Sequence, residues 1–79
     1  GNTFAALVDE WLQHQVDRLE PATWQRTRDR LAFVCKHIGR TPVADLEAGD
    51  FLPPLKATEA RGRVDTAHRM RSECSRVMR

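Results

Sequence analysis

Residues 21–39 read PATWQRTRDRLAFVCKHIG, and this stretch decides the fold. Pro21 suits the first turn of a helix, where its missing N–H removes no bond. Gly39 suits the position just past the last turn. Between them, at about 100° per residue, Trp24, Leu31, Cys35 and Ile38 gather on one side, with Thr27 and Val34 beside them. Arg26, Arg30, Phe33 and His37 fall on the other side. Arg28 stands at the border, where its aliphatic stem can cover core edge while the guanidinium reaches outward. The pattern predicts one amphipathic helix over 21–38, apolar on one side and arginine-bearing on the other.

The same periodicity extends in both directions. Upstream, Phe4, Leu7, Val8, Trp11, Leu12 and Leu19 recur at three- and four-residue spacing, which predicts a helix from Phe4 to about Arg18 with Thr3 as N-cap. Its outer face carries Asp9, Glu10, Gln13 and Asp17 and is acidic, a solvated face or a contact for another subunit. Downstream, residues 40–47 read as a connector, with Pro42 as breaker and Val43 and Leu46 as core anchors. Pro53 and Pro54 cannot both lie inside a helix, so a short turn over 48–52 and a short helix from Pro53 to Ala60 are expected, closed by Gly62. A last helix starts at Asp65 or Thr66 and runs past the end of the chain. Ala67, Met70, Cys74, Val77 and Met78 form its apolar stripe. Arg69, Ser72 and Arg76 stand opposite, flanked by His68, Ser75 and Arg79, with Arg71 at the core border.

No segment alternates as a strand does, so the chain reads as all-α, a single domain over 1–79 with four helices. Seventy-nine residues hold only a small core, and burial of Phe4, Trp11, Trp24 and Phe51 is expected to carry it. The abrupt ends suggest a piece of a longer protein. No apolar run approaches the roughly 20 residues of a membrane span. Cys35 and Cys74 both fall on apolar faces and read as a reduced core pair in a cytosolic protein.

Charge is distributed unevenly. Residues 1–20 and 41–60 each carry −3, whereas 21–40 and 61–79 each carry +4. If the two basic blocks share a surface, the fold has one basic face, and a polyanion such as nucleic acid is the first partner to expect. Catalysis is not expected. The chain has no phosphate-cradling glycine loop, no nucleophile elbow and no zinc-protease helix. Ser72 and Ser75 near His68 lack an oriented third member and oxyanion donors. Tyrosine is absent. His14, His37 and His68 have no ligand-like spacing to either cysteine, so neither a metal nor another cofactor is called for.

Several stretches are similar to one family. Thr3-Phe4 followed by Glu10-Trp11-Leu12 resembles the opening of the core-binding domain of phage integrases. His37-Ile38-Gly39-Arg40-Thr41-Pro42-Val43-Ala44-Asp45-Leu46 resembles their IG-x-x-P-[IV]-x-[DE]-[IL] connector. Glu59-Ala60-Arg61-Gly62, then Thr66-Ala67-His68-Arg69-Met70-Arg71, is similar to the last-helix region of prophage and island integrases of the tyrosine recombinase family. The chain departs from the family pattern at Gly49 and at Pro53-Pro54, which leaves the third helix short or broken.

The resemblance implies a small four-helix SAM-like core-binding domain that clamps double-stranded DNA together with a separate C-terminal catalytic domain of the same chain. That domain would carry the Arg, His and Tyr residues of strand cleavage, and none maps here. It also implies protomer–protomer contacts in a recombination complex and a bacterial or phage-encoded protein at work in the cytoplasm, at the nucleoid. The second and fourth helices would face the major groove, with Arg26, Arg30, Arg69, Arg71 and Arg76 contacting phosphates or bases. Thr23, Gln25, His68, Ser72 and Ser75 would add hydrogen bonds. The competing expectation is a helical protein–protein interaction module without DNA binding, in which the arginines only solubilise.

Overall fold

The computed structural model describes residues 2–79, and among them four helices form: α1 (Phe4–Gln15), α2 (Pro21–Ile38), α3 (Leu52–Ala60) and α4 (Val64–Met78). Two 3₁₀ turns, Val43–Asp45 and Ala48–Phe51, fill the connector between α2 and α3. A lone bridge between Thr3 and Pro42 is the only strand-like pairing among the described residues.

The N-terminal turn of α1 is closed by partners from two sources. Thr3 Oγ1 accepts from the Ala6 amide at 3.2 Å, as a capping threonine should. The Phe4 and Ala5 amides donate to the carbonyls of Thr41 and Gly39, both at 3.0 Å, and the Val43 amide donates to Asn2 at 2.8 Å. Amides that a helix leaves unpaired at its start are thus satisfied by the segment leaving α2. At its other end α1 stops at Gln15, three residues short of the expected Arg18. There the amides of Arg18 and Leu19 both turn back to the Gln15 carbonyl.

Helix α2 has the bounds its sequence predicts. Gly39, however, keeps right-handed backbone angles (φ −59°) rather than the left-handed ones of a C′ glycine. Its small size matters for another reason, because a Cβ there would collide with the Cys35 carbonyl oxygen. Helix α3 is short but unbroken. Pro53 and Pro54 occupy its first turn, where neither missing N–H interrupts the ladder. The turn before it is held by a reciprocal box between Glu47 and Asp50, with the Glu47 amide 2.9 Å from Asp50 Oδ2. Gly62, at φ +78°, turns the chain from α3 into α4.

The core is built from Phe4, Val8 and Leu12 of α1, Leu31, Val34 and Ile38 of α2, and Met70, Cys74 and Val77 of α4. Phe4 is fully enclosed and meets Phe51 edge-on at 5.5 Å. Trp11, Trp24 and Phe51 are only partly buried and pack on the rim, contrary to the expectation that all the large aromatics would be enclosed. Phe33, placed by phase among the outward residues, also packs partly against this core. Met78 leaves the apolar stripe, 37% exposed, and Glu73 enters it, only 6% exposed. Among the described residues no helix is long and apolar enough to cross a membrane.

Candidate nucleic-acid interface

The two arginine-bearing helices touch directly, and one ion pair marks where. Arg30 Nε and Nη2 donate to Glu73 Oε1 and Oε2 at 2.8 and 2.6 Å. The side chains are 17% and 8% exposed, so this fork-on-carboxylate contact lies largely out of water. Nη2 also reaches Thr27 Oγ1 at 3.4 Å. The hydrogen bond to Glu73 raises the Arg30 pKa, desolvation opposes it, and the guanidinium stays charged. Among the described residues no buried side-chain polar atom lacks a partner.

Arg30 therefore does not stand free on an outward stripe as the phase of α2 alone implies; its donors are committed to Glu73. The reason is tertiary: the residue sits on the shoulder of the core side, where α4 covers it. Glu73 is the residue the sequence reading missed. Its signal was there, because it lies three residues after Met70 and four before Val77, a carboxylate on an apolar stripe that needs a buried partner.

Counting about 100° per residue from this pair orders the rest of the surface. On α2, Leu31, Val34 and Thr27 lie on the core side of Arg30, and Arg26 lies about 40° to the other side. On α4, Met70, Cys74 and Val77 lie on the core side of Glu73. Arg69 and Arg76 lie about 40° and 60° to the other side. The core thus runs beneath the seam, and Arg26, Arg69 and Arg76, all exposed, stand above it on its two flanks. Each is three or four residues from its helix's partner in the ion pair, about 6 Å of rise or less. The two basic stripes are brought side by side, with a neutralised pair between them.

The remaining candidates separate. Thr23 lies near Arg30 in phase, and Ser72 lies just beyond Arg69; both are exposed. Gln25, His68, Arg71 and Ser75 are exposed too, but each is turned by at least about 140° from the seam. Gln25 makes a long 3.4 Å bond to Asp29 on its own helix. Arg71 and Ser75 are turned from the seam, yet with Ser72, Arg76 and Arg79 they line one open hollow on the C-terminal half of α4. The acidic residues Asp9 and Glu10 are exposed on α1 and Asp17 in the turn that follows it, so none lies on a helix that carries an arginine stripe.

Buried beneath the seam, the Cys74 thiol is pushed up to about 12, chiefly by desolvation and further by the negative charge of Glu73 and by Cys35. Burial also raises Cys35, with Asp9 adding to the effect. Both are free thiols. Neither is a nucleophile at neutral pH.

Comparison with known proteins then decides the family. The phage integrase central domain family matches residues 4–79, nearly the whole chain. The chain belongs to that family, within the tyrosine recombinases. This central domain is also 27% identical over 77 residues to the integrase of Enterobacteria phage P4, an alignment covering 98% of this chain and 18% of that protein. The central domain thus spans about a fifth of the length of that curated relative. No solved structure matches it. The motifs that drew the resemblance, Glu10-Trp11-Leu12 in α1 and the Ile38–Leu46 connector, fall inside the matched span.

Proposed function

We propose that this integrase central domain binds double-stranded DNA as the SAM-like core-binding half of a tyrosine site-specific recombinase. In this reading it places a separate catalytic domain of the same chain on attachment-site DNA for integration. The observation that carries the reading is the seam: three exposed arginines, Arg26, Arg69 and Arg76, each three or four residues from a single interhelical contact. A duplex presents phosphates along both walls of its groove, and a rigid pair of helices with cations on both flanks suits that spacing. Ser72 and Thr23 are the nearest hydrogen-bonding neighbours. Strand cleavage and rejoining fall to the catalytic domain, and assembly with other protomers of the recombination complex follows from that chemistry. The bacterial cytoplasm, at the nucleoid, is where such a reaction takes place.

Titration of the ¹⁵N-labelled chain with duplex DNA tests the proposal. Shifts centred on residues 23–30 and 69–76 at low salt are expected, with a slope of about −3 in log K against log salt if three phosphates are neutralised. A titration without shifts on α2 and α4 overturns it. Shifts confined to α1 on mixing with a protein partner would favour the interaction-module alternative instead.

A further inference from the structure

The Arg30–Glu73 pair is enclosed, close to charge-neutral, and set in the middle of an arginine surface, and two ordinary explanations for it fail. Attraction to phosphate is not served, since Glu73 cancels one of the arginines nearest the seam. Stability is a poor explanation as well, because replacing a buried ion pair with well-packed apolar residues is often neutral or stabilising. What the contact does supply is geometry. Two donors of a planar guanidinium meet two oxygens of one carboxylate at 2.8 and 2.6 Å, which constrains separation, axial offset and rotation at once. The apolar floor of the seam constrains less. It comes from Val34, Met70 and Val77, and the flexible Met70 accommodates sliding readily.

We infer that Glu73 is a positioning residue: by gripping Arg30 it sets the register of α4 on α2 and so the spacing of Arg69 and Arg76 from Arg26. The consequence for DNA rests on the function proposed above; the register itself does not. A one-turn slip of α4 would move its arginines by about 5.4 Å, more than the roughly 3.4 Å of axis per phosphate on one DNA strand, so the pair decides which phosphates the flanks can meet together.

Two variants of the 79-residue chain test this: the apolar double variant Arg30→Met/Glu73→Leu, and the near-isosteric Glu73→Gln. For the double variant, a urea midpoint at or above that of the parent is expected, together with broadened or doubled α4 amide signals and interhelical NOEs that no longer fit one register. Its duplex affinity should fall about tenfold. Sharp, parent-like α4 signals with parental NOEs overturn the inference. If the double variant does not fold, Glu73→Gln decides by the same signals: broadening supports the register role and parent-like spectra overturn it. A parent chain that binds no duplex defeats the DNA-binding reading alone, since the NMR comparison is made without DNA.

Discussion

Trp24 donates its indole N–H to the main-chain carbonyl of Leu12 at 2.9 Å, tying the first turn of α2 to the last turn of α1. The ring lies on the rim of the core rather than inside it, yet it spends its one polar group on a backbone acceptor of another helix. It is both a packing residue and a clasp across the α1–α2 corner.

Two substitutions separate those roles. Trp24→Phe keeps most of the packing and loses the bond, and should cost about 1 kcal/mol. Trp24→Ala loses both, and about 3 kcal/mol is expected, the low end for truncating a large aromatic because the ring is only partly buried. Urea denaturation followed by far-ultraviolet circular dichroism measures each without depending on tryptophan fluorescence.

On the proposed DNA face, Arg26→Ala and Arg69→Ala should each weaken duplex binding several-fold and flatten the salt slope by about one, with folding intact. Glu10→Ala, on the acidic side of α1, should leave binding unchanged; equal weakening would refute the assignment of faces. Arg30→Ala should behave differently from its neighbours. It strands a buried carboxylate, so a loss of about 3 kcal/mol in stability is expected before any effect on DNA is read.

Alkaline pH should destabilise the fold in a defined window. The thiols are raised in the folded chain, Cys74 from 9.0 to about 12, while in the unfolded chain they ionise near the ordinary value. The unfolded state therefore binds fewer protons between those limits, and stability falls as pH rises from about 9 to about 12. Urea midpoints at pH 8 and pH 10.5 should differ less in Cys74→Ala than in the parent. Alkylation of Cys74 by iodoacetamide at pH 8 should be slow until the chain is unfolded.

Gly62 and Gly49 make a matched pair. Gly62→Ala forces a Cβ into φ +78° and should cost about 1 kcal/mol by thermal denaturation. Gly49 has open space and no such angle, so Gly49→Ala should be neutral or slightly stabilising. A large loss at Gly49 would mean that its turn is held by more than the Glu47–Asp50 box.

Helix α2 was legible to the residue because its ends are covalent signals: a proline that starts helices and a glycine where the next side chain would collide. The end of α1 carries no such signal, and its last turn unwinds at Gln15 because two amides share one carbonyl, which only the path toward Pro21 explains. Pro53 and Pro54 looked like a conflict and proved compatible, since a helix leaves several amides of its first turn unpaired. The arginine stripes were legible as phase, but not their internal division. Phase within one helix places Arg26 and Arg30 together; it cannot tell that the second of them meets a carboxylate 43 positions away. Likewise, the size of the tryptophans argued for enclosure, whereas a domain this small has more rim than interior.

The amides that open α1 are held by the carbonyls that close α2. Mechanically, the chain's approach at Asn2 and its departure at Gly39 through Val43 are a single joint. A tug arriving along the backbone ahead of Thr3 would load the exit of α2 together with the enclosed Phe4. That helix carries Arg30 at its middle and Arg26 in the half beyond. Tension applied ahead of Thr3 would therefore reach the arginine seam through the C-terminal half of that one helix.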